Sequence, residues 1–190
     1  MIEHAMPDKP KIINVTSLTK SKLFHIQQVA LEFSSGKQAH YERILAAANG
    51  AVLIVPLLAN HNVLMIREYS VGTDQYELLF PKGLIDDDES ILCAANRELM
   101  EETGYAARQL NHINTMTIAP GYLGFKTHII LAEDLYPEQL EGDEPEPLEV
   151  LEFSLNDIDE IVQRDDLTES RTIAALYMVR DILSKRTNHA

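Results

Sequence analysis

The alternation of apolar and polar residues predicts strands over most of the chain and helices towards its end. Two antiparallel strands are expected at residues 23–33 and 38–45, and a slip in the alternation of the first predicts a bulge near residues 27–28. Further strands are expected at residues 11–15, 51–58, 63–69, 76–80, 113–119, 126–132 and 150–153. One helix interrupts these strands and others follow them, so the pattern predicts an α+β fold.

Three segments have the spacing of helices. The internal helix is expected to begin near Ser90 and to end at Gly104, because glycine readily adopts the left-handed conformation that ends helices. The two later helices are expected at residues 155–163 and from 168 or 170 to about 185.

The chain is long enough for one domain with a small extension. It has 190 residues, of which 45% are hydrophobic. Residues 1–45 contain little besides a short strand and a hairpin, and a hairpin alone does not form a stable core. We therefore expect residues 1–45 to be an antiparallel appendage that packs on residues 46–190 or on a second subunit.

Composition excludes several classes of function. A formal net charge of −14 should repel nucleic acid and anionic membranes, so neither is an expected partner. No apolar run approaches the roughly 20 residues that span a membrane, and the polar start is not expected to be a signal peptide. Cys93 is the only cysteine, which indicates a reducing compartment, most simply the cytoplasm. We expect Cys93 to be a small buried residue of the internal helix.

Three carboxylates lie on one side of the internal helix. Glu98, Glu101 and Glu102 have i, i+3 and i+4 spacing, so they share a face and repel one another. One neighbouring arginine, Arg97, does not balance them. A hard divalent cation with oxygen ligands would do so, and Mg²⁺ is usual where phosphates share its shell. The alternative is an ordinary amphipathic helix with a solvated acidic face.

The spacing around this helix resembles the Nudix box, Gx5Ex7REUxEExGU, in which U is a bulky apolar residue. Every defined position matches between residues 83 and 105; the matching residues are Gly83, Glu89, Arg97, Glu98, Leu99, Glu101, Glu102, Gly104 and Tyr105. The resemblance implies a Nudix α/β/α sandwich, preceded here by the N-terminal antiparallel strands. It also implies that the chain is a metal-dependent pyrophosphohydrolase.

The resemblance assigns roles to the residues of the box. Glu98, Glu101 and Glu102 would be metal ligands, with the backbone carbonyl of Lys82 as a further one, for Mg²⁺ or alternatively Mn²⁺. Glu89 and Arg97 would form a salt bridge that braces the loop against the helix.

The catalytic base is expected outside the box. In the branch of the family that hydrolyses ADP-ribose, a glutamate on a later loop positions or deprotonates the attacking water. The acidic segment 137–147 offers Glu144 and Glu146, separated by a proline. We favour Glu144, keep Glu146 as the second candidate and include Glu102 in the catalytic set; the alternative is a solvated acidic loop.

Features outside the box indicate the class of substrate. Pro120, 15 residues after Tyr105, and segments 67–69 and 76–78 resemble the ADP-ribose branch, although residues 81–83 read Pro-Lys-Gly where that branch usually has Pro-Ala-Gly. Within the branch, residues 67–69 and 142–148 match the bacterial hydrolases of ADP compounds.

This resemblance implies hydrolysis of ADP-ribose, NADH and diadenosine polyphosphates, with release of AMP. It further implies a homodimer in which the N-terminal strands pair with a second subunit. Candidate substrate contacts are Arg43, Arg67, Glu77 and Pro120; ion pairs are the alternative role for the two arginines and Glu77. Another nucleotide sugar as substrate, or a sensor that binds an ADP compound without cleaving it, remain alternatives.

Overall fold

The computed structural model describes residues 7–45 and 49–187. Contacts divide the chain into an N-terminal unit, residues 1–48 with 117–125, and a main unit, residues 49–116 with 126–190. The predicted division between residues 45 and 46 adjoins residues 46–48, which lie outside the described ones. None of the described helices is long and apolar enough to cross a membrane.

The N-terminal unit contains a three-stranded antiparallel sheet. Its strands are β1 (Lys11–Lys20), β2 (His25–Glu32) and β3 (Gln38–Ile44), in the order β1-β2-β3. The predicted hairpin of β2 and β3 is confirmed, whereas the short strand expected at residues 11–15 extends to Lys20.

The predicted bulge in the first hairpin strand is wrong. The pairing of β2 with β3 is continuous, and the two register shifts occur instead in β1, between Ile12 and Asn14 and between Ser17 and Thr19. Seven of the eight β2 residues are partly buried, so burial does not alternate along this strand. The register of β2 could therefore not be predicted from its pattern of apolar residues.

The main unit contains two further sheets. One has the order β7-β4-β9-β8, with β4 and β9 parallel, and the other has the order β10-β5-β6. The strand β7 is only three residues long and was not predicted. The bounds are β4 Ala51–Pro56, β5 Asn62–Ser70, β6 Gln75–Leu79, β7 Lys82–Leu84, β8 Tyr105–Thr117, β9 Lys126–Pro137 and β10 Glu149–Ser154.

Helices cover both faces of the sheet that contains β4. They are α1 (Ile91–Thr103), α2 (Ile158–Ile161) and α3 (Ser170–Thr187). Leu53 and Val55 belong to a buried cluster with the α3 residues Leu176 and Val179. Val52 and Ile54 belong to a second cluster with Ala95 and Leu99 of α1. Since alternate residues of one strand point to opposite faces, α1 and α3 sandwich the sheet, and the predicted α/β/α architecture is confirmed.

Two local predictions need correction. The helix expected at residues 155–163 is a 3-10 turn, Leu155–Asp157, followed by only four residues of α2. The chain turns soon afterwards, where the Leu167 amide donates to the backbone oxygen of Arg164 at 3.2 Å, and Leu167 is buried. Cys93 is exposed rather than buried, because α1 turns Ala94 and Ala95 towards the sheet instead.

Candidate active site

Both ends of α1 are defined by the residues that the sequence predicted. The Ser90 hydroxyl accepts a hydrogen bond from the Cys93 amide at 3.2 Å, and Gly104 adopts a left-handed conformation with φ 75°. A Cβ at position 104 would also lie 2.6 Å from the side-chain oxygen of Gln139. These two ends fix which residues of the helix face the interior.

Arg97 is the centre of an ion-pair network. Its guanidinium binds both carboxylate oxygens of Glu89, at 3.1 and 2.9 Å, so the predicted brace between loop and helix is present. It also donates to Glu98 at 2.7 Å and to Glu101 at 3.1 Å, and to the backbone oxygen of Leu84 at 3.0 Å. The surrounding carboxylates raise the pKa of Arg97 further above its usual value. One guanidinium thus holds three acidic side chains in place.

Two of the three helix carboxylates are buried. Glu98 is 8% exposed and Glu102 is 6% exposed. Burial raises the pKa of Glu98, against the opposing effect of Arg97. Burial raises the pKa of Glu102 to about 8, because only Lys82 opposes it. Ionising these groups is therefore unfavourable unless a cation lies close to them.

The strand β7 brings the backbone up against these carboxylates. The amide of Lys82 donates to Glu102 at 2.9 Å, and its ammonium group forms an ion pair with Glu68. A Cβ at Gly83 would lie 2.0 Å from the carboxylate carbon of Glu98. A side chain at position 83 would therefore displace the Glu98 carboxylate from its present place.

The carboxylates line a cavity of about 690 Å³, which we call the acidic cavity. Two basic side chains, Lys82 and Arg97, line it together with eight acidic ones. The acidic residues are Glu68, Asp86, Glu98, Glu101, Glu102, Glu141, Asp143 and Glu144. Such an excess of negative charge would exclude an anionic substrate unless cations are bound.

The chemistry of these groups fits a hard divalent cation. Carboxylate and backbone oxygens are the ligands that Mg²⁺ and Mn²⁺ prefer. As arranged here, no group of three acidic, histidine or cysteine side chains among residues 7–45 and 49–187 converges closely enough to hold a metal ion. Arg97 holds Glu98 and Glu101, and the Lys82 amide holds Glu102. Metal binding would require these carboxylates to move closer together than they are here.

The structure separates the two candidates for the catalytic base. Glu144 lines the acidic cavity, and its charge contributes to the raised pKa of Glu98. Glu146 is absent from that lining and accepts a hydrogen bond from the Tyr76 hydroxyl at 2.8 Å. Pro145 lies between the two and limits the conformations of the loop.

Two predicted substrate contacts in the main unit have protein partners. Arg67 donates to Glu149 at 2.7 Å and to Asp166 at 2.6 Å. Glu77 is 2% exposed and accepts hydrogen bonds from the backbone and hydroxyl of Thr168. These contacts favour the alternative of structural ion pairs and hydrogen bonds, and substrate binding by either residue stays a prediction.

The other two predicted substrate contacts, Arg43 and Pro120, lie in the N-terminal unit. They line one cavity of about 370 Å³ there, together with Tyr41 and Tyr122. Arg43 also donates to Gln27 at 3.1 Å. The structure therefore brings these two residues together in a unit separate from the one that carries the carboxylates, and their role stays a prediction.

Sequence reasoning did not select four acidic residues of the acidic cavity as site residues. Asp86 lies in the acidic loop before α1, and Glu141 and Asp143 flank Gly142 near Glu144. Glu68 follows Arg67 on β5 and binds Lys82. The richness of their segments in acidic residues could have pointed to Asp86, Glu141 and Asp143, and the resemblance of segment 67–69 could have pointed to Glu68.

Family models match nearly the whole chain. The NUDIX domain matches residues 48–176, and the NudE-type Nudix hydrolase N-terminal domain matches residues 10–43. With the α/β/α sandwich and the glutamates of α1, these matches define the class: the chain belongs to the Nudix hydrolase family. Enzymes of this family generally need a divalent metal.

Individual proteins resemble the chain over almost its full length. It is 46% identical over 175 residues to the ADP compounds hydrolase NudE of Escherichia coli (strain K12), covering 92% of this chain and 94% of that protein. It is 27% identical over 172 residues to the ADP-ribose pyrophosphatase of Bacillus subtilis (strain 168), covering 90% and 92%. A crystal structure of an ADP compounds hydrolase matches with a TM-score of 0.89 and 44% identity, covering 96% and 98%.

We predict that Glu102→Gln changes the pH dependence of stability in the metal-free protein. Between the ordinary carboxyl pKa of 4.5 and the raised pKa of about 8, folded Glu102 keeps a proton that the unfolded chain has lost. The unfolded state then binds fewer protons, so the free energy of unfolding falls as pH rises through this window. Glutamine stays neutral, and the fall should become shallower. Urea unfolding from pH 5 to 8, with a chelator to keep the protein metal-free, measures this pH dependence of the free energy of unfolding.

The same variant tests the metal site. Binding of Mn²⁺, followed by electron paramagnetic resonance, should weaken at least about tenfold in Glu102→Gln. Glu141→Gln, at an exposed position of the same cavity, is the control for loss of one negative charge. Unchanged Mn²⁺ affinity and an unchanged pH slope in Glu102→Gln would remove Glu102 from the site.

Proposed function

We propose that this protein hydrolyses the pyrophosphate bond of ADP-ribose and related ADP compounds, including NADH and diadenosine polyphosphates, and releases AMP. The observation that carries the proposal is the acidic cavity. Its buried α1 carboxylates need a cation in order to ionise, and an anionic substrate needs a cation in order to enter. The names of the E. coli and B. subtilis relatives support the class of substrate.

Glu98, Glu101 and Glu102, with the carbonyl of Lys82, are the proposed ligands for Mg²⁺, with Mn²⁺ as the alternative. When bound, the divalent cation neutralises charge on the pyrophosphate and helps to activate water. Other residues of the chain position the proposed ligands. Arg97 keeps the carboxylates in a common arrangement, and Gly83 leaves room for Glu98 beside the backbone.

Glu144 is the proposed proton acceptor. It lines the acidic cavity and, unlike Glu146, receives no hydrogen bond from Tyr76. Water that loses a proton to Glu144 attacks one phosphorus, its oxygen forms a new bond there, and the bond to the bridging oxygen breaks. With ADP-ribose the products are AMP and ribose 5-phosphate, which together account for all atoms of substrate and water.

We also propose that the protein is a homodimer joined through the N-terminal unit. All ten residues of β1 are exposed, and Ile12, Ile13, Val15 and Leu18 are each at least 40% exposed. Within the described part of this unit, Val29 is the only buried side chain. A sheet with so little buried surface is not stable alone, and a second copy would cover its apolar residues.

Product analysis tests the proposed substrate class. We expect AMP from ADP-ribose, NADH, a diadenosine polyphosphate and an ADP-hexose in Mg²⁺, no products after chelation, and little cleavage of a GDP-sugar. Metal-dependent cleavage of the GDP-sugar alone would keep the Nudix chemistry and overturn the substrate. Binding of ADP-ribose without cleavage of any compound would favour a sensor.

The assignment of the base is tested by a matched pair of variants. Glu144→Gln should lower kcat for ADP-ribose about 100-fold or more, the usual size of a general-base contribution. Glu146→Gln, two residues away on the same loop, should stay near the wild-type rate. The reverse order would transfer the role of base to Glu146, and equal small effects would exclude both.

The dimer is tested by light scattering. We expect a molar mass of about twice 21.4 kDa, the mass of one chain. Val15→Asp should shift the mass towards the monomer because it places an unpaired charge in the apolar surface. Thr16→Asp adds the same charge to the opposite face of β1 and should leave the mass unchanged. A wild-type monomer at micromolar concentration would refute the proposal.

A further inference from the structure

A second cavity opens beside the acidic cavity in the main unit. It has a volume of about 410 Å³, within the range of about 300–1,000 Å³ typical of small-molecule sites. Its walls are the rings of Tyr69 and Tyr76 and the loop from Pro145 to Leu148, and we call it the tyrosine pocket. Glu68 and Glu144 line both cavities, so the two adjoin each other. A molecule held at the carboxylates can therefore extend into the tyrosine pocket.

The two tyrosine rings are held in place although they are exposed. Tyr69 is 45% exposed and Tyr76 is 48% exposed, and their ring centroids lie 5.5 Å apart at an interplanar angle of 67°. The Tyr69 hydroxyl donates to Asp74 at 2.6 Å, and the Tyr76 hydroxyl donates to Glu146 at 2.8 Å. Because both hydroxyls are engaged, the rings need little further ordering when a ligand stacks on them.

We infer that the tyrosine pocket receives the second aromatic base of a dinucleotide substrate, such as the nicotinamide of NADH or the second adenine of a diadenosine polyphosphate. Exposed aromatic faces bind planar bases by stacking, which depends little on the identity of the base. ADP-ribose has no second base and would leave the pocket empty. Tyr69 and Tyr76 are thereby residues that determine specificity between dinucleotides and ADP-ribose. The inference rests on the proposed function, since it places the pyrophosphate at the acidic cavity.

The chemistry of the pocket favours a base over a sugar or a further phosphate. Besides the tyrosine rings, Pro145 and Leu148 give it apolar walls, on which a flat ring buries more apolar surface than the hydroxyl-rich face of a sugar does. Its charged residues, Glu68, Glu144 and Glu146, are all acidic and would repel a phosphate. A flat, uncharged ring satisfies both conditions.

Substitutions that remove the rings test the inference. Tyr69→Leu and Tyr76→Leu should each raise the KM for NADH at least about fivefold, as expected for loss of one stacking partner, and leave the KM for ADP-ribose nearly unchanged. Tyr69→Phe and Tyr76→Phe keep the rings and lose only the hydroxyls that hold them, so they should raise the KM for NADH by less than about twofold. The phenylalanine variants thus distinguish the effect of losing the stacking ring from the effect of losing the hydrogen bond between Tyr76 and Glu146.

A binding measurement supplies a readout independent of turnover. NADH fluorescence is titrated in a Glu144→Gln background with Mg²⁺, with and without each leucine substitution, and Kd should rise by the same factor as KM. Equal effects of leucine on NADH and ADP-ribose, or no effect on either, would overturn the inference. A loss that phenylalanine and leucine share would also overturn it, because the hydroxyls would then be the important groups. A wild-type protein that cleaves no ADP compound but binds NADH through the tyrosines would refute the proposed function and support the pocket.

Discussion

The ion pairs of Arg97 are the interaction on which the rest of the site depends. The helix α1 packs on the sheet through Ala95 and Leu99, and the same orientation buries Glu98 and Glu102 at the edge of the core. Like charges in such a position repel each other strongly because water no longer screens them. Arg97 offsets part of this cost by binding Glu98, Glu101 and Glu89 together, and the amide of Lys82 stabilises Glu102. The remaining demand for positive charge is the reason why we propose a cation site at this edge of the core.

Electrostatics would also connect a bound cation to the substrate. An acidic cavity cannot attract a pyrophosphate, and a pyrophosphate cannot approach Glu144, while the negative charges are uncompensated. A cation bound between them removes both obstacles at once. The two glutamates of the loop 144–148 are engaged differently. Glu144 lines the acidic cavity, whereas Glu146 accepts a hydrogen bond from Tyr76. Prolines at positions 145 and 147 restrict the loop, which helps to keep the two glutamates apart.

The parts of the structure that depend on local spacing could be predicted from the sequence. The ends of α1, the shared face of its glutamates and the brace between Glu89 and Arg97 all follow from residues within one segment. Features that depend on contacts between distant segments could not be predicted. The ion pair of Lys82 with Glu68 forms only when β7 and β5 approach each other, and the bulges of β1 are set by its pairing with β2. The length of α2 was also missed, because the chain turns after Ile161 and then contributes Leu167 to the buried cluster of distant segments.

The division between chemistry and selectivity follows from which side chains are already engaged. Within the Nudix box, Arg97 binds Glu89, Glu98 and Glu101, and the backbone binds Glu102. These carboxylates therefore already have polar partners in the protein. None of them offers an aromatic face that could distinguish one attached group from another. Discrimination among pyrophosphates must therefore come from surfaces outside the box. In the main unit, Tyr69 and Tyr76 provide the exposed aromatic surface that adjoins the acidic cavity. If these rings bind the substrate as inferred, selectivity can change at Tyr69 and Tyr76 without any change in the proposed metal ligands.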